Sequence, residues 1–208
     1  MITNEELLIV PMAAHQLILA SSSPRRQELI QSFGLPYIIR VSDADETVEQ
    51  KITPSEFVEV LSLRKAATVR EMLEASDKHG IIIGSDTVVV YNDEVLGKPV
   101  DEEDAFRMLK AMQGQTHQVF SGVACVDAET GKQVVSHSVT NVHMKAMSDE
   151  QIRRYIATGE PRDKAGSYAI QGIGATIISG IEGDYFTVVG LPLSLLSDML
   201  LEFNIQVL

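Results

Sequence analysis

An aspartate stands inside a strongly apolar run, Ile81-Ile82-Ile83-Gly84-Ser85-Asp86-Thr87-Val88-Val89-Val90. A carboxylate is costly to place there unless it is paired or used, so Asp86 is the first candidate for chemistry. Asn92-Asp93 signals a turn, after which Glu94-Val95-Leu96 leads back to Gly97-Lys98-Pro99. A hairpin of that register returns Lys98 to the level of Asp86. An acid and a base on one wall suit a phosphate site with a metal.

Other segments add groups of the same kind. Ser21-Ser22-Ser23-Pro24-Arg25-Arg26 joins a short strand, Leu17 to Ala20, to a helix, with Ser23 as N-cap and Pro24 in the first turn. Two arginines oppose the positive end of the helix dipole, and a bound anion gripped by their guanidinium forks would compensate; an exposed basic turn is the alternative. Asp43, Asp45 and Glu46 follow the strand Tyr37 to Val41 and offer oxygen ligands for a hard cation, or a solvated turn. Lys65 lies within a helix from Pro54 to about Leu73, a position that is ordinarily surface. The long irregular stretch from Gly159 to Gly172 carries Lys164 and Gln171, whose amide can donate and accept on a base edge.

These groups need a scaffold. The strand-helix opening, a second strand and helix, and later hairpins with helices between them predict α/β architecture: a mixed twisted sheet with flanking helices, in two lobes around a cleft. Strands are expected at about Thr116 to Val126, Val134 to Met144, Ala175 to Ile181 and Tyr185 to Val189. Helices are expected from Asp101, from Ser148 with a Ser-x-x-Gln capping box, and from Pro192 to about Phe203. Residues 1–15 are expected to be an extension, and 16–208 a single domain.

The 208 residues carry 45% hydrophobic side chains and a formal charge of −12, enough for a sizeable core and the wrong sign for a nucleic-acid partner. Any phosphate site must therefore be local. A single cysteine, Cys125, excludes a disulfide framework or thiolate zinc site within one chain, and cytoplasm is the expected compartment. No membrane span is expected, and a homodimer would be ordinary at this size. His117 and Cys125 read as packing residues; His137 and His143, six apart in a strand, lack a third metal ligand. There is neither a P-loop nor a Gly-x-Ser-x-Gly elbow.

Ser21 to Arg26, Asp45-Glu46, Lys65-Ala66, Gly84-Ser85-Asp86-Thr87, Gly97-Lys98-Pro99, Asp163-Lys164-Ala165-Gly166, Ile170-Gln171-Gly172 and Gly190-Leu191-Pro192-Leu193 together resemble, in order, the motif series of the Maf family. These are nucleoside triphosphate pyrophosphatases once named for septum inhibition. The resemblance runs from about Leu17 to Leu201 and implies two α/β lobes around a deep cleft, as in the related inosine triphosphatases. Asp86-Thr87 with Ile170-Gln171-Gly172 is similar to the branch acting on dTTP and UTP. The family alternative is the branch acting on 7-methyl-GTP. Val60 and Lys145 stand where the family often has arginine.

By resemblance, Glu46 and Asp86 hold a divalent cation, Mg²⁺, Mn²⁺ or Co²⁺, and Asp86 acts on the attacking water. Glu46, Asp86, Lys65 and Lys98 form the implied catalytic group. Ser21, Ser23, Arg25, Arg26 and Lys164 are implied to bind phosphate, while Arg25, Thr87 and Gln171 are implied to set substrate preference. A non-catalytic nucleotide-binding regulator of cell division and a phosphatase releasing orthophosphate are the competing readings.

Overall fold

β-Branched runs whose residues are buried on both faces build the centre of this computed structural model, which describes residues 16–74 and 78–208. The expected extension at 1–15 lies outside the described residues. Strands β1 (Gln16–Leu19), β2 (Tyr37–Ile39), β3 (Gly80–Tyr91), β4 (Glu94–Leu96), β5 (Thr116–Asp127), β6 (Gln133–Met144) and β7 (Ile178–Glu182) form one sheet. Its order is β2-β1-β3-β5-β6-β7, with β4 paired to β3. β1 runs parallel to β2 and β3, and the remaining pairings are antiparallel. The expected mixed α/β sheet is what the chain forms.

The period-2 alternation of β3 divides its side chains between two coverings. Ile82 packs with Ala66 and Val69 of helix α2 (Pro54–Met72), and Val88 and Val90 pack with Val58 of the same helix. Ile81 and Ile83 face Ile30 of α1 (Pro24–Gln31) and Leu196, Met199 and Leu200 of a C-terminal helix. Val89, further along, lies under Met108, Leu109 and Met112 of α3 (Glu102–Met112) and Ile152, Tyr155 and Ile156 of α4 (Asp149–Ala157). Two apolar lobes therefore share the same long strands.

Helix α2 sits unusually close to the sheet. A Cβ on Gly84 would lie 2.1 Å from the Ser62 carbonyl oxygen, and one on Gly122 would lie 2.3 Å from that of Val58. Only glycine permits this approach. α2 begins at a capping box, Thr53 with Glu56, and α4 at the expected one, Ser148 with Gln151.

Ser23 occupies the N-cap of α1 and Pro24 its first turn, as expected; the Ser23 side chain makes no cap bond, and the Ser21 hydroxyl accepts from Ser23 N–H. Two other local expectations need correction. Residues Tyr185–Val189 form a short helix, α5, because the Asp184 carboxylate caps Thr187 N–H and Gly190, at φ +119°, stops the turn; the cap outweighs the β-branched composition. The strand expected from Ala175 starts only at Ile178, after a 3₁₀ segment over Gly172–Ile177. Helix α6 spans Leu193–Leu201. Among the described residues no helix is long and apolar enough to cross a membrane.

Candidate active site

The edge of β3 facing β1 is covered in two pieces. β1 pairs with Gly80 to Ile83 and β4 pairs with Val89 to Tyr91, so Gly84 to Val88 have no strand beside them on that edge among the described residues. A break of this kind, beyond the carboxyl end of a parallel strand, leaves a crevice in the sheet. A cavity of about 780 Å³ opens there, large enough for a nucleotide-sized ligand, and Asp86 lies on its floor.

Each wall comes from a different element. Ser21, Ser22, Ser23, Arg25 and Arg26 come from the β1–α1 junction; Ser42 and Glu46 from the acidic loop; Lys65 from α2. Gly97 and Lys98 come from beyond the β3–β4 hairpin, and Asp163 and Lys164 from the 3₁₀ turn Glu160–Asp163 and its end. Nearly all the sequence-derived site residues thus line one cavity. Gln171 does not: its neighbour Ile170 does, while Gln171 immediately precedes the 3₁₀ segment Gly172–Ile177.

At the centre Lys65 Nζ stands 2.6 Å from Asp86 Oδ1 and 2.8 Å from Glu46 Oε1. The Lys65 and Asp86 side chains are 13% and 11% exposed, whereas Glu46, at 61%, reaches in from the mouth. Lys65 is therefore no surface lysine; the close approach of α2 brings its stem inward. The hydrogen bond from Lys65 holds the Glu46 carboxyl below its ordinary range against the opposing effect of burial, and Lys98 and Arg26 add to the lowering. Arg64 Nη1 donates to the carbonyls of Asp45, at 2.5 Å, and Thr47, at 2.8 Å, anchoring the acidic loop to α2.

Arg26 is held differently from an open phosphate fork. Its Nε donates to the Gly190 carbonyl at 2.7 Å and its Nη2 to the Thr87 hydroxyl at 3.0 Å. Burial pulls the guanidinium below its ordinary value, and Asp86 pulls the other way. Thr87 also shares a 2.8 Å hydrogen bond with Ser121, so its hydroxyl is engaged by the protein. Lys164 Nζ donates to Asp163 Oδ1 at 2.6 Å and to the Glu160 carbonyl. Asp163 feels burial first, which raises its carboxyl, but the Lys164 hydrogen bond and charge leave it lowered.

Several participants carried no signal in the sequence. Ser85 donates to the Gly190 carbonyl and Ser121 to that of Thr187, a polar seam between the lobes. Phe57, Leu61, Val119, Tyr168 and Val188 supply apolar wall. Alternation in β3 placed Ser85 opposite Asp86, but nothing local identified a carbonyl more than a hundred residues away. Cys125 is fully buried, and burial pushes its thiol up to about 12. His137 bonds Glu59 and His143 bonds Thr116.

Among the described residues no group of three or more His, Cys, Asp or Glu side chains could hold a metal ion. Glu46 and Asp86 nevertheless converge on one point. Two carboxylates suit a hard cation of the Mg²⁺ kind that completes its coordination with water and phosphate oxygens, and they do not suit a closed zinc cage.

An α/β fold split over a crevice, lined by converging cations with Glu46 and Asp86 at its centre and Asp163 in its wall, defines an anion-binding protein equipped for phosphate chemistry. The chain belongs to the family described as Maf-like protein, which it matches over residues 16–203. It is 49% identical over 191 residues to the dTTP/UTP pyrophosphatase of Desulforamulus reducens, covering 92% of this chain and 98% of that one. It is 51% identical over 193 residues to the protein of the same name from Pelotomaculum thermopropionicum, covering 93% and 99%. A solved structure of the Staphylococcus aureus Ham1 protein superposes with a TM-score of 0.47 at 12% identity, over 78% of this chain and 79% of its own, too loose a likeness to bear on function.

Proposed function

We propose that this chain is a nucleoside triphosphate pyrophosphatase that hydrolyses dTTP and UTP to the nucleoside monophosphate and pyrophosphate with the help of Mg²⁺, Mn²⁺ or Co²⁺. The carrying observation is the convergence of Glu46, Lys65 and Asp86 in the cavity that also holds Lys98, Lys164 and Arg25. Relatives about half identical along nearly their whole length bear the name dTTP/UTP pyrophosphatase, which supports the substrate class.

A triphosphate brings about four negative charges into this space, so carboxylates beside it need cations between. Glu46 and Asp86 would hold the divalent cation, which would supply charge neutralisation at the phosphates. Asp86, recessed on the cavity floor, takes a proton from the attacking water as its oxygen adds to the α-phosphorus and the bond to the bridging oxygen breaks. Lys65, Lys98 and Lys164 neutralise the charge that moves onto the departing pyrophosphate, and the Ser21–Ser23 turn lies against the same space. Arg26 positions Thr87 and Gly190 while keeping further N–H groups for the ligand.

Arg25 and Gln171 are the proposed readers of the base, with Thr87 in support. An amide at Gln171, next to the cavity-lining Ile170, matches the carbonyl and imino N–H of uracil and thymine. A cytoplasmic enzyme, active as monomer or homodimer and independent of nucleic acid and membrane, completes the proposal. Initial rates of pyrophosphate release from UTP, dTTP, CTP and 7-methyl-GTP test it. UTP and dTTP should lead. Preference for 7-methyl-GTP, release of orthophosphate alone, or binding without turnover would each overturn it.

A further inference from the structure

The ammonium of Lys65 occupies the point where the two acids meet, at hydrogen-bond distance from both. It does not rest there loosely. Glycines at 84 and 122 let α2 press on the sheet, its side chain is 13% exposed, and Arg64 returns the acidic loop, with Glu46, to the same place. A lysine ammonium and a divalent cation compete for the same carboxylate lone pairs. Holding both against two carboxylates puts three positive charges on two negative ones within a few ångströms. About four further negative charges from a triphosphate remove that excess.

We propose that Lys65 is an internal cation that closes the Glu46–Asp86 pair to free divalent metal, and that the triphosphate opens it. Metal then enters as the nucleotide–metal complex. Phosphate oxygens give the Lys65 ammonium new partners while the metal takes the two carboxylates. When products leave, Lys65 returns to Glu46 and Asp86 and the metal is released with them. The chain thus avoids storing metal between turnovers, and Lys65 couples cation binding to substrate binding. This proposal rests on the reading that the cavity takes a nucleoside triphosphate with a divalent cation.

The test is Mn²⁺ binding without nucleotide, read from the electron paramagnetic resonance signal of the free ion. Wild type, Lys65→Met and Lys65→Gln are compared, each checked by circular dichroism. Removing the ammonium should tighten Mn²⁺ binding by roughly tenfold or more, with one additional ion per chain. Adding Asp86→Asn to Lys65→Met should abolish that gained site, separating it from weak binding to the acidic surface. Folded variants that bind Mn²⁺ no better than wild type overturn the proposal. So does tight, stoichiometric Mn²⁺ binding by nucleotide-free wild type, whatever the variants do. Pyrophosphate release from UTP, measured in parallel on wild type, judges the enzymatic reading separately, because the Mn²⁺ titration requires no turnover.

Discussion

The carbonyl oxygen of Gly190 accepts a hydrogen bond from Arg26 Nε at 2.7 Å, joining residues 164 apart in the chain. Ser85 Oγ donates to the same oxygen at 2.9 Å, one position before Asp86. The start of α1, the strand carrying the acid and the turn before α6 are therefore fixed to one another at a single backbone atom.

Replacing Arg26 by lysine keeps a positive charge and loses the two-armed geometry. With the bonds to Gly190 and Thr87 gone, stability should fall by about 1.5–3 kcal/mol, the range for hydrogen bonds to a charged group. The shift of the urea midpoint measures it. An unchanged midpoint would reduce Arg26 to a ligand-facing cation only.

The glycines under α2 make a second prediction. Alanine at Gly84 or Gly122 would set a Cβ against the carbonyl of Ser62 or Val58, costing roughly 1–3 kcal/mol as the helix shifts outward. Because that shift carries Lys65 away from Asp86, turnover should fall even at temperatures where the variant is fully folded. Gly180→Ala, whose Cβ would meet only His143 at 3.8 Å, should stay within about 0.5 kcal/mol of wild type.

His117 gives the fold a pH dependence. It is 2% exposed, its Nε2 lies 2.7 Å from the Tyr168 hydroxyl, and its buried Nδ1 has no hydrogen-bond partner among the described residues. Burial, with a smaller contribution from His143, lowers its pKa from 6.5 to about 4. Between those values the unfolded chain binds the proton and the folded chain does not, so stability falls as pH drops from 6.5 towards 4. The loss amounts to about 3 kcal/mol. Urea midpoints across that window should show the slope in wild type and lose most of it in His117→Asn.

Much of this was legible from residue types. The β-branched runs on either side of Asp86 meant buried strands, which the structure joins into the single strand β3, and a carboxylate between them had to be paired or used; Lys65 is its partner. The hairpin through Asn92-Asp93 brought Lys98 to the cavity because turn chemistry fixes register locally. What could not be read depends on contacts between distant segments. Lys65 looked like a surface residue because its burial follows from two glycines on other elements. Arg26 looked like a free anion fork because its partners lie 61 and 164 residues away. Residues Tyr185–Val189 looked like a strand because propensity spoke louder than one aspartate cap. Gln171 was assigned by resemblance and does not line the cavity; it immediately precedes a 3₁₀ segment that no periodicity announces.

The most direct test is pyrophosphate release from UTP with Mg²⁺ by wild type and by Asp86→Asn. Wild type should release one pyrophosphate per uridine monophosphate, and the variant, with an unchanged circular dichroism spectrum, should turn over roughly 10²-fold more slowly or worse. Near-normal release by Asp86→Asn, or none from wild type, would contradict the proposed chemistry.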